Sequence, residues 1–384
     1  MVIEKLFFAL LRCSITGEEI PSELRARLDL PCIKAVLSLA RKHDLSHLVA
    51  KALIDNDCAS DEQTKEDFLS YQMSALIRRE QANYDFKTLK DFFEKEHITY
   101  IPLKGAVICQ YYPEAWMRTS CDIDILVREE AVEHIAGLMV EHLAYSRQAT
   151  TYHDISLQSP YGTHVELHFH IKENEDGIDR LLSKAWDHAN PLGATVTEWC
   201  FTNEYFLFHL YAHMAYHFLH GGCGVRPFLD LWILRTKMSY SEEKLVSMCQ
   251  ETDIHCFYQS VNAALEVWFN GKEETELVAA MREYVLNGGV YGTVENRIAV
   301  QRSKLGTKSF IWSRLWLSRE ELRTSYPVLD KHPFLLPLCQ VGRWYHALIS
   351  GRVKRSKTEM RVNQSLSEEC VHNTAKLLQS LGLS

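Results

Sequence analysis

Between Tyr100 and Arg128 the chain reads YIPLKGAVICQYYPEAWMRTSCDIDILVR, and the seven residues CDIDILV restrict the fold more than any others. Cys121, Ile123, Ile125 and Val127 alternate with Asp122 and Asp124. A period-two strand therefore buries the first set and presents both carboxylates on its other face. Two acids held side by side repel each other unless a cation neutralises them, and hard divalent ions such as magnesium take carboxylate oxygens of this kind. A half-buried strand with two solvated acids is the plainer reading.

A third acid follows in the same strand chemistry. In THVELHFHI, residues 163 to 171, Val165, Leu167, Phe169 and Ile171 form one face, and His164, Glu166, His168 and His170 form the other. Glu166 is thus expected on the same side of a sheet as the aspartate pair. Upstream, Ile98 to Leu103 reads as a strand feeding a helix that starts near Gly105. The free amides and positive dipole end of such a helix favour phosphate, and Lys104 adds a charge there.

The order of LKG, YP, an arginine, DIDILV and VEL resembles the nucleotidyltransferase (polymerase-beta-like) fold. Within it, the chain is similar to the bacterial set labelled uncharacterised nucleotidyltransferases. The likeness extends to the N-terminal helical region, to NEYFLFHLYAHMAYHFLH (203 to 220), to RPFLDLWIL (226 to 234) and to YPVLDKHPFLLP (326 to 337). It implies an α+β protein, a small mixed-sheet core over 97–201 flanked by an N-terminal helical region, 1–96, and a C-terminal helical domain, 202–384.

The implied activity is transfer of a nucleoside monophosphate from a nucleoside triphosphate to an acceptor, by in-line attack on the α-phosphate with loss of pyrophosphate. Two Mg2+ ions, with Mn2+ as a substitute, are expected on Asp122, Asp124 and Glu166. Glu166 is also placed to help remove the acceptor's proton. Lys104 and the Gly105 amide are assigned to the β- and γ-phosphates. Arg118, which matches an arginine of the family pattern, is a candidate for the same charge, because its fork grips phosphate at two points; a salt bridge to an acid such as Glu114 is the alternative. One departure stands out. Smaller members carry Gly-Ser at the phosphate turn, where this chain has Lys104-Gly105-Ala106, so a hydroxyl contact has to come from elsewhere.

Composition agrees with a globular enzyme. The 384 residues suit two or three domains, and the 46% hydrophobic and 24% charged shares are ordinary. A formal charge of −8 argues against broad binding to a nucleic-acid backbone. Two basic stretches stand against that average: Arg302, Lys304, Lys308, Arg314, Arg319 and Arg323, then Arg352, Lys354, Arg355, Lys357 and Arg361. Most such runs are solvated helix faces. The eleven cysteines form no CxxC pair, which fits free thiols in a reducing cytoplasm, and Cys121 falls on the expected core face of its strand. MVIEKLFFALLRC reads as an amphipathic helix rather than a signal peptide, and no run approaches the roughly 18 apolar residues that span a bilayer.

The flanks are helical. Leu6, Leu10 and Leu11 repeat at helical spacing, as do Ile33, Val36, Leu37 and Leu39 with Ala40. Residues 60 to 96 hold no proline or glycine and begin with Ser60 and acids, which predicts one long capped helix. A short strand is expected near Ala194 to Phe201, and Gly221-Gly222, Gly288-Gly289 and Pro327, Pro333 and Pro337 break the C-terminal helices.

His209, His213 and His217 stand at i, i+4 and i+8, a stripe able to offer imidazoles to zinc or another transition metal. Aromatic neighbours such as Phe208 and Tyr211 suit a packed helix instead. His168, His170, His213, His217, Arg226 and Asp230 are candidates for the acceptor pocket; Arg226 and Asp230, one turn apart, are also able to pair with each other. Two other functions stay open: a metal-dependent phosphohydrolase built on the histidine stripe, and a non-catalytic accessory or antitoxin-like protein. The residues do not choose among triphosphates, nor among a small molecule, a sugar, a peptide side chain and an RNA end as acceptor.

Overall fold

The structure is a computed structural model that describes residues 2–59, 61–193, 196–290, 292–305, 316–323, 326–349 and 353–383. The N-terminal part consists of α1 (Val2–Thr16), α2 (Ser22–Arg25), α3 (Leu30–Lys42), α4 (Ser46–Asp55) and α5 (Glu62–Lys95). Helix α5 is the single long helix expected. Its cap is Asp61, whose carboxylate accepts from the Thr64 amide, rather than Ser60, which lies outside the described residues.

The α/β core begins with β1 (Tyr100–Pro102), shorter than the strand expected from Ile98, and the five-residue α6 (Lys104–Ile108). It continues through β2 (Asp122–Val127), α7 (Val132–Leu143), β3 (Ser146–Thr150), β4 (Asp154–Gln158) and β5 (His164–His168). The sheet order is β1-β2-β5-β4-β3. Strand β2 pairs antiparallel with β1 and parallel with β5, while β5, β4 and β3 are antiparallel neighbours. This is the mixed sheet of an α+β fold.

One face of the sheet is apolar. Ile123, Ile125, Val127, Val165 and Leu167 pack with Val132, Ile135 and Met139 of α7 and with Leu89, Phe92 and Phe93 at the end of α5. Emptying one of these positions, as in Ile125→Ala, is expected to cost about 2–5 kcal/mol. The chain continues through α8 (Asp176–Leu182) and the pair β6 (Ala189–Pro191) and β7 (Trp199–Phe201). Of the strand expected over Ala194 to Phe201, Ala194 and Thr195 lie outside the described residues, and pairing starts at Trp199.

Helices α9 (Asn203–Leu219), α10 (Arg226–Lys237), α11 (Glu242–Glu251), α12 (His255–Asn270), α13 (Glu276–Gly288) and α14 (Val294–Leu305) follow. Further helices include Leu336–Ile349, Val353–Ser365 and Glu368–Ser380. Gly221 and Gly222, at φ +120° and +100°, end α9 with backbone that other residues rarely adopt. One hydrophobic core joins the N-terminal helices to the C-terminal ones: Leu6, Phe7 and Leu10 of α1 share it with Phe257, Val261 and Leu265 of α12, and Phe8 stacks on Trp268 with ring centroids 4.8 Å apart. No described helix is long and apolar enough to cross a membrane.

Of the basic stretches, Arg302 is buried and bonds Glu368 and the Asn363 and Leu366 carbonyls, which makes it a structural residue. Lys308, Arg314 and Arg352, and the side chains of Lys354, Arg355 and Lys357, lie outside the described residues.

Two buried histidines make the fold acid-sensitive. Burial pushes His43 and His47 down to about 4 each, although His47 Nε2 donates to the Met117 carbonyl at 2.8 Å. The unfolded chain titrates near 6.5, so it binds protons first as pH falls. Stability from these neutral rings is complete above about pH 6.5 and is lost towards pH 4, by about 2 kcal/mol for each ring at pH 5. Urea midpoints at pH 7 and pH 5 check this, and His47→Gln is expected to flatten the difference.

Candidate active site

The parallel pairing of β2 with β5 sets Asp122 opposite His164 and Asp124 opposite Glu166. Because both strands alternate, Asp122, Asp124, His164, Glu166 and His168 share one face of the sheet. His168 Nε2 stands 3.0 Å from Asp124 Oδ1 and 3.3 Å from Glu166 Oε2. Asp124, Glu166 and His168 form a group able to hold one metal ion, each offering a donor atom within 4.8 Å of the others. Asp122 has the Ser120 hydroxyl at 3.4 Å and no ion pair among the described residues.

The two aspartates are held in opposite ways. Burial and the neighbouring Asp124 push the Asp122 carboxyl up. Burial also opposes charge on Asp124, but the Lys104 ammonium and the His168 ring outweigh it and hold that carboxyl well below the usual range. Burial disfavours charge on His168 too, yet its bonds to Asp124 and Glu166 raise it to about 9. A negative pocket with a cation already at its rim is the result.

Lys104 and Gly105 sit over this face. Lys104 Nζ lies 4.0 Å from Asp124 Oδ1, and its backbone, at φ +39°, is in a region that a side-chain-bearing residue occupies only under constraint. Helix α6 spans only five residues before a 3-10 turn, Cys109–Tyr111, so it supplies far less dipole than the helix expected there. Gly105 is fixed by space: a Cβ on it would lie 2.4 Å from Ser120 Oγ and 3.2 Å from Ser120 Cβ. Gly105→Ala is therefore expected to lose about 1–3 kcal/mol by overpacking, and Ser120→Gly in the same chain to restore most of it, as urea unfolding of the double-mutant cycle would read. Ser120 brings a hydroxyl to the turn whose missing serine the sequence makes plain. Nothing in strand or helix periodicity marks it.

Arg118 lines the same cleft, but its guanidinium is engaged. It grips Asp230 through Nε at 3.0 and 3.1 Å and Nη2 at 2.9 Å, and Tyr112 donates to the same carboxylate at 2.7 Å. Glu114 instead accepts from the Trp116 indole. Arg226 does not pair with Asp230 one turn on. It donates to Asp44 Oδ2 at 2.9 Å and to the Thr119 carbonyl at 3.2 Å. Asp44 also takes Arg78 and the Thr119 hydroxyl, which ties the α3–α4 turn, α5 and α10 to the strand that carries the acids. Cys121 corrects another expectation: it is exposed and lines the cleft, because the alternation begins only with β2 at Asp122.

Helix α9 forms the opposite wall. His213 and His217 line the cleft with Lys104, Asp122 and Asp124. His213 Nδ1 lies 2.6 Å from Glu173 Oε1, and His217 Nε2 lies 3.0 Å from His213 Nε2. Burial holds both rings well below their ordinary value. His209 is buried among aromatic side chains and pushed down to about 3. The stripe thus splits into one core ring and two cleft rings, and among the described residues it forms no three-ligand metal group. His170 turns towards Tyr152 and His153, outside the cleft lining, while His153 stacks on His168 at 5.6 Å. Glu173 and Asp154, a buried acid of β4 opposite His168 in register, are site neighbours that lie outside the motifs read from the sequence.

The cleft at the acids holds about 160 Å3. A larger cavity of about 670 Å3 lies between α1 and the end of α12, lined by residues such as Lys5, Arg12 and Arg282 and remote from the strand acids. Chemistry favours the smaller one.

A mixed sheet with two acids on one strand, a third in register on its parallel neighbour, and a lysine-glycine turn above them is the core of a nucleotidyltransferase-type α+β protein. The chain belongs to the family described as uncharacterised nucleotidyltransferase, whose model matches residues 32–270, from the start of α3 to the end of α12. No curated protein and no solved structure matches it.

Proposed function

We propose that this protein transfers a nucleoside monophosphate from a nucleoside triphosphate to an acceptor, with Asp122, Asp124 and Glu166 as its acidic centre. One observation carries the reading: the β2–β5 register sets Glu166 beside Asp124 on the face that Lys104 overlooks. The donors suit divalent cations, which Asp122, Asp124 and Glu166 would hold and which, when bound, neutralise charge on the attacking and leaving oxygens.

The chain's own groups do the rest by position. Lys104, the Gly105 amide and the Ser120 hydroxyl grip the β- and γ-phosphates. Arg118 braces this wall through Asp230 and adds field rather than a free fork. At about 160 Å3 the cleft is smaller than the roughly 300–1,000 Å3 of pockets that bury a whole small molecule, so it takes the phosphate chain and leaves base and sugar at its mouth. The acceptor approaches along α9. Glu173 fixes His213 through Nδ1, and the neutral His213–His217 pair orients the acceptor, while Glu166 takes the proton that leaves it as its oxygen or nitrogen bonds the α-phosphorus and pyrophosphate departs.

The test is to incubate the protein with Mg2+ or Mn2+, each α-labelled triphosphate and a cell extract, then identify what acquires label. Label is expected in one acceptor class with wild-type protein and in none with Asp122→Asn/Asp124→Asn. Equal labelling by the two proteins would dispose of the proposal.

A further inference from the structure

We infer that His168 is a metal ligand, so that the ion site is a mixed carboxylate–imidazole centre that prefers Mn2+ to Mg2+. This rests on the function proposed above and adds to it a residue and an ion selectivity that carboxylates alone do not provide. His168 stands two residues after Glu166 on β5, on the same face and opposite Leu126 in the parallel register, and it is almost fully buried. It is therefore fixed in the wall rather than free to swing in solvent.

The spacing to Asp124 fits one small ion, and the half-buried Glu166 carboxylate has only to draw in slightly. Two ligands at right angles on an ion with bonds of about 2.1 Å stand about 3.0 Å apart, whereas the longer bonds of Ca2+, about 2.4 Å, set them about 3.4 Å apart. His168 Nε2 lies 3.0 Å from Asp124 Oδ1 and 3.3 Å from Glu166 Oε2. Those distances also describe a hydrogen bond, so without an ion the ring acts as its place-holder by donating Nε2–H to the acids. The two acids hold that proton, and an incoming ion displaces it. His168 Nδ1 is buried with no hydrogen-bond partner among the described residues, so once Nε2 turns its lone pair to an ion the N–H left on Nδ1 is not braced from behind, and the ring is held by its packing alone.

Ligand chemistry then sets the selectivity. Mg2+ takes oxygen donors almost exclusively and keeps its waters, while imidazole nitrogen suits first-row transition ions. One nitrogen with two carboxylates is a set that Mn2+ accepts and Mg2+ resists.

The experiment uses the full chain, stripped of metal with chelator, titrated with Mn2+ while free Mn2+ is followed by electron paramagnetic resonance, and Mg2+ added in competition. Mn2+ is expected to bind at least about tenfold more tightly than Mg2+, and His168→Ala to remove most of that ratio. Spin-echo modulation of bound Mn2+ is expected to show an imidazole nitrogen that disappears in His168→Ala and persists in His213→Ala, a signature that a merely structural role would not move. Binding of both ions with equal affinity and no nitrogen modulation would overturn the inference and leave the three-acid centre standing. Failure of either ion to bind, with or without ATP present, would remove the proposed function along with it.

Discussion

Asp124→Asn is expected to lower nucleotidyl transfer on the order of a thousandfold, because it removes charge from the point where ions and phosphate meet. It is also expected to destabilise the protein by about 3–5 kcal/mol, since Lys104 and His168 would be left in a buried site without their anion. Asp122→Asn separates the two effects. Asp122 has no ion pair among the described residues and is pushed up by burial and by Asp124, so its neutralisation removes repulsion. Transfer should fall comparably, while stability without added ions stays level or rises. Urea unfolding beside turnover for the two variants reads both arms, and equal destabilisation by both would count against this division of roles.

The second large effect belongs to Asp230. Asp230→Ala leaves the Arg118 fork and the Tyr112 hydroxyl unpaired in the wall of the cleft, which is expected to cost about 3–5 kcal/mol. Replacing the pair together, Arg118→Met with Asp230→Leu, is expected to recover most of that loss, because no buried charge remains. Were Arg118 instead a phosphate ligand held only loosely by Asp230, Asp230→Ala would tighten triphosphate binding with little change in unfolding. Urea midpoints and triphosphate affinity of the single and double variants distinguish the two cases.

What the sequence discloses, and what it hides, follows the reach of each physical rule. Alternation is local and strict, so Asp122, Asp124 and Glu166 could be assigned to strand faces from their neighbours alone. Their meeting in register depends on a parallel pairing across α7 and the β3–β4 hairpin, which no short-range pattern encodes. The i, i+4 rule suggested that Arg226 pairs with Asp230, yet Asp44 and Arg118, far off in the chain, take those partners. Burial on both sides of α9 hid the difference between His209, a core ring, and His213 and His217, which face the cleft. Ser120 and Glu173 lie outside regular strands and helices, where no period marks a functional residue. His168 was legible as a neighbour of Glu166 but not as a hydrogen-bond partner of Asp124, because that depends on distances.

In the proposed function, three carboxylates from β2 and β5 hold a triphosphate through divalent ions. Calorimetric titration of a non-hydrolysable ATP analogue, with and without Mn2+, into wild-type protein and into Asp122→Asn, Asp124→Asn and Glu166→Gln decides this. The prediction is binding only when the ion is present, and its loss in each variant; tight binding that needs no ion and survives all three substitutions would contradict it.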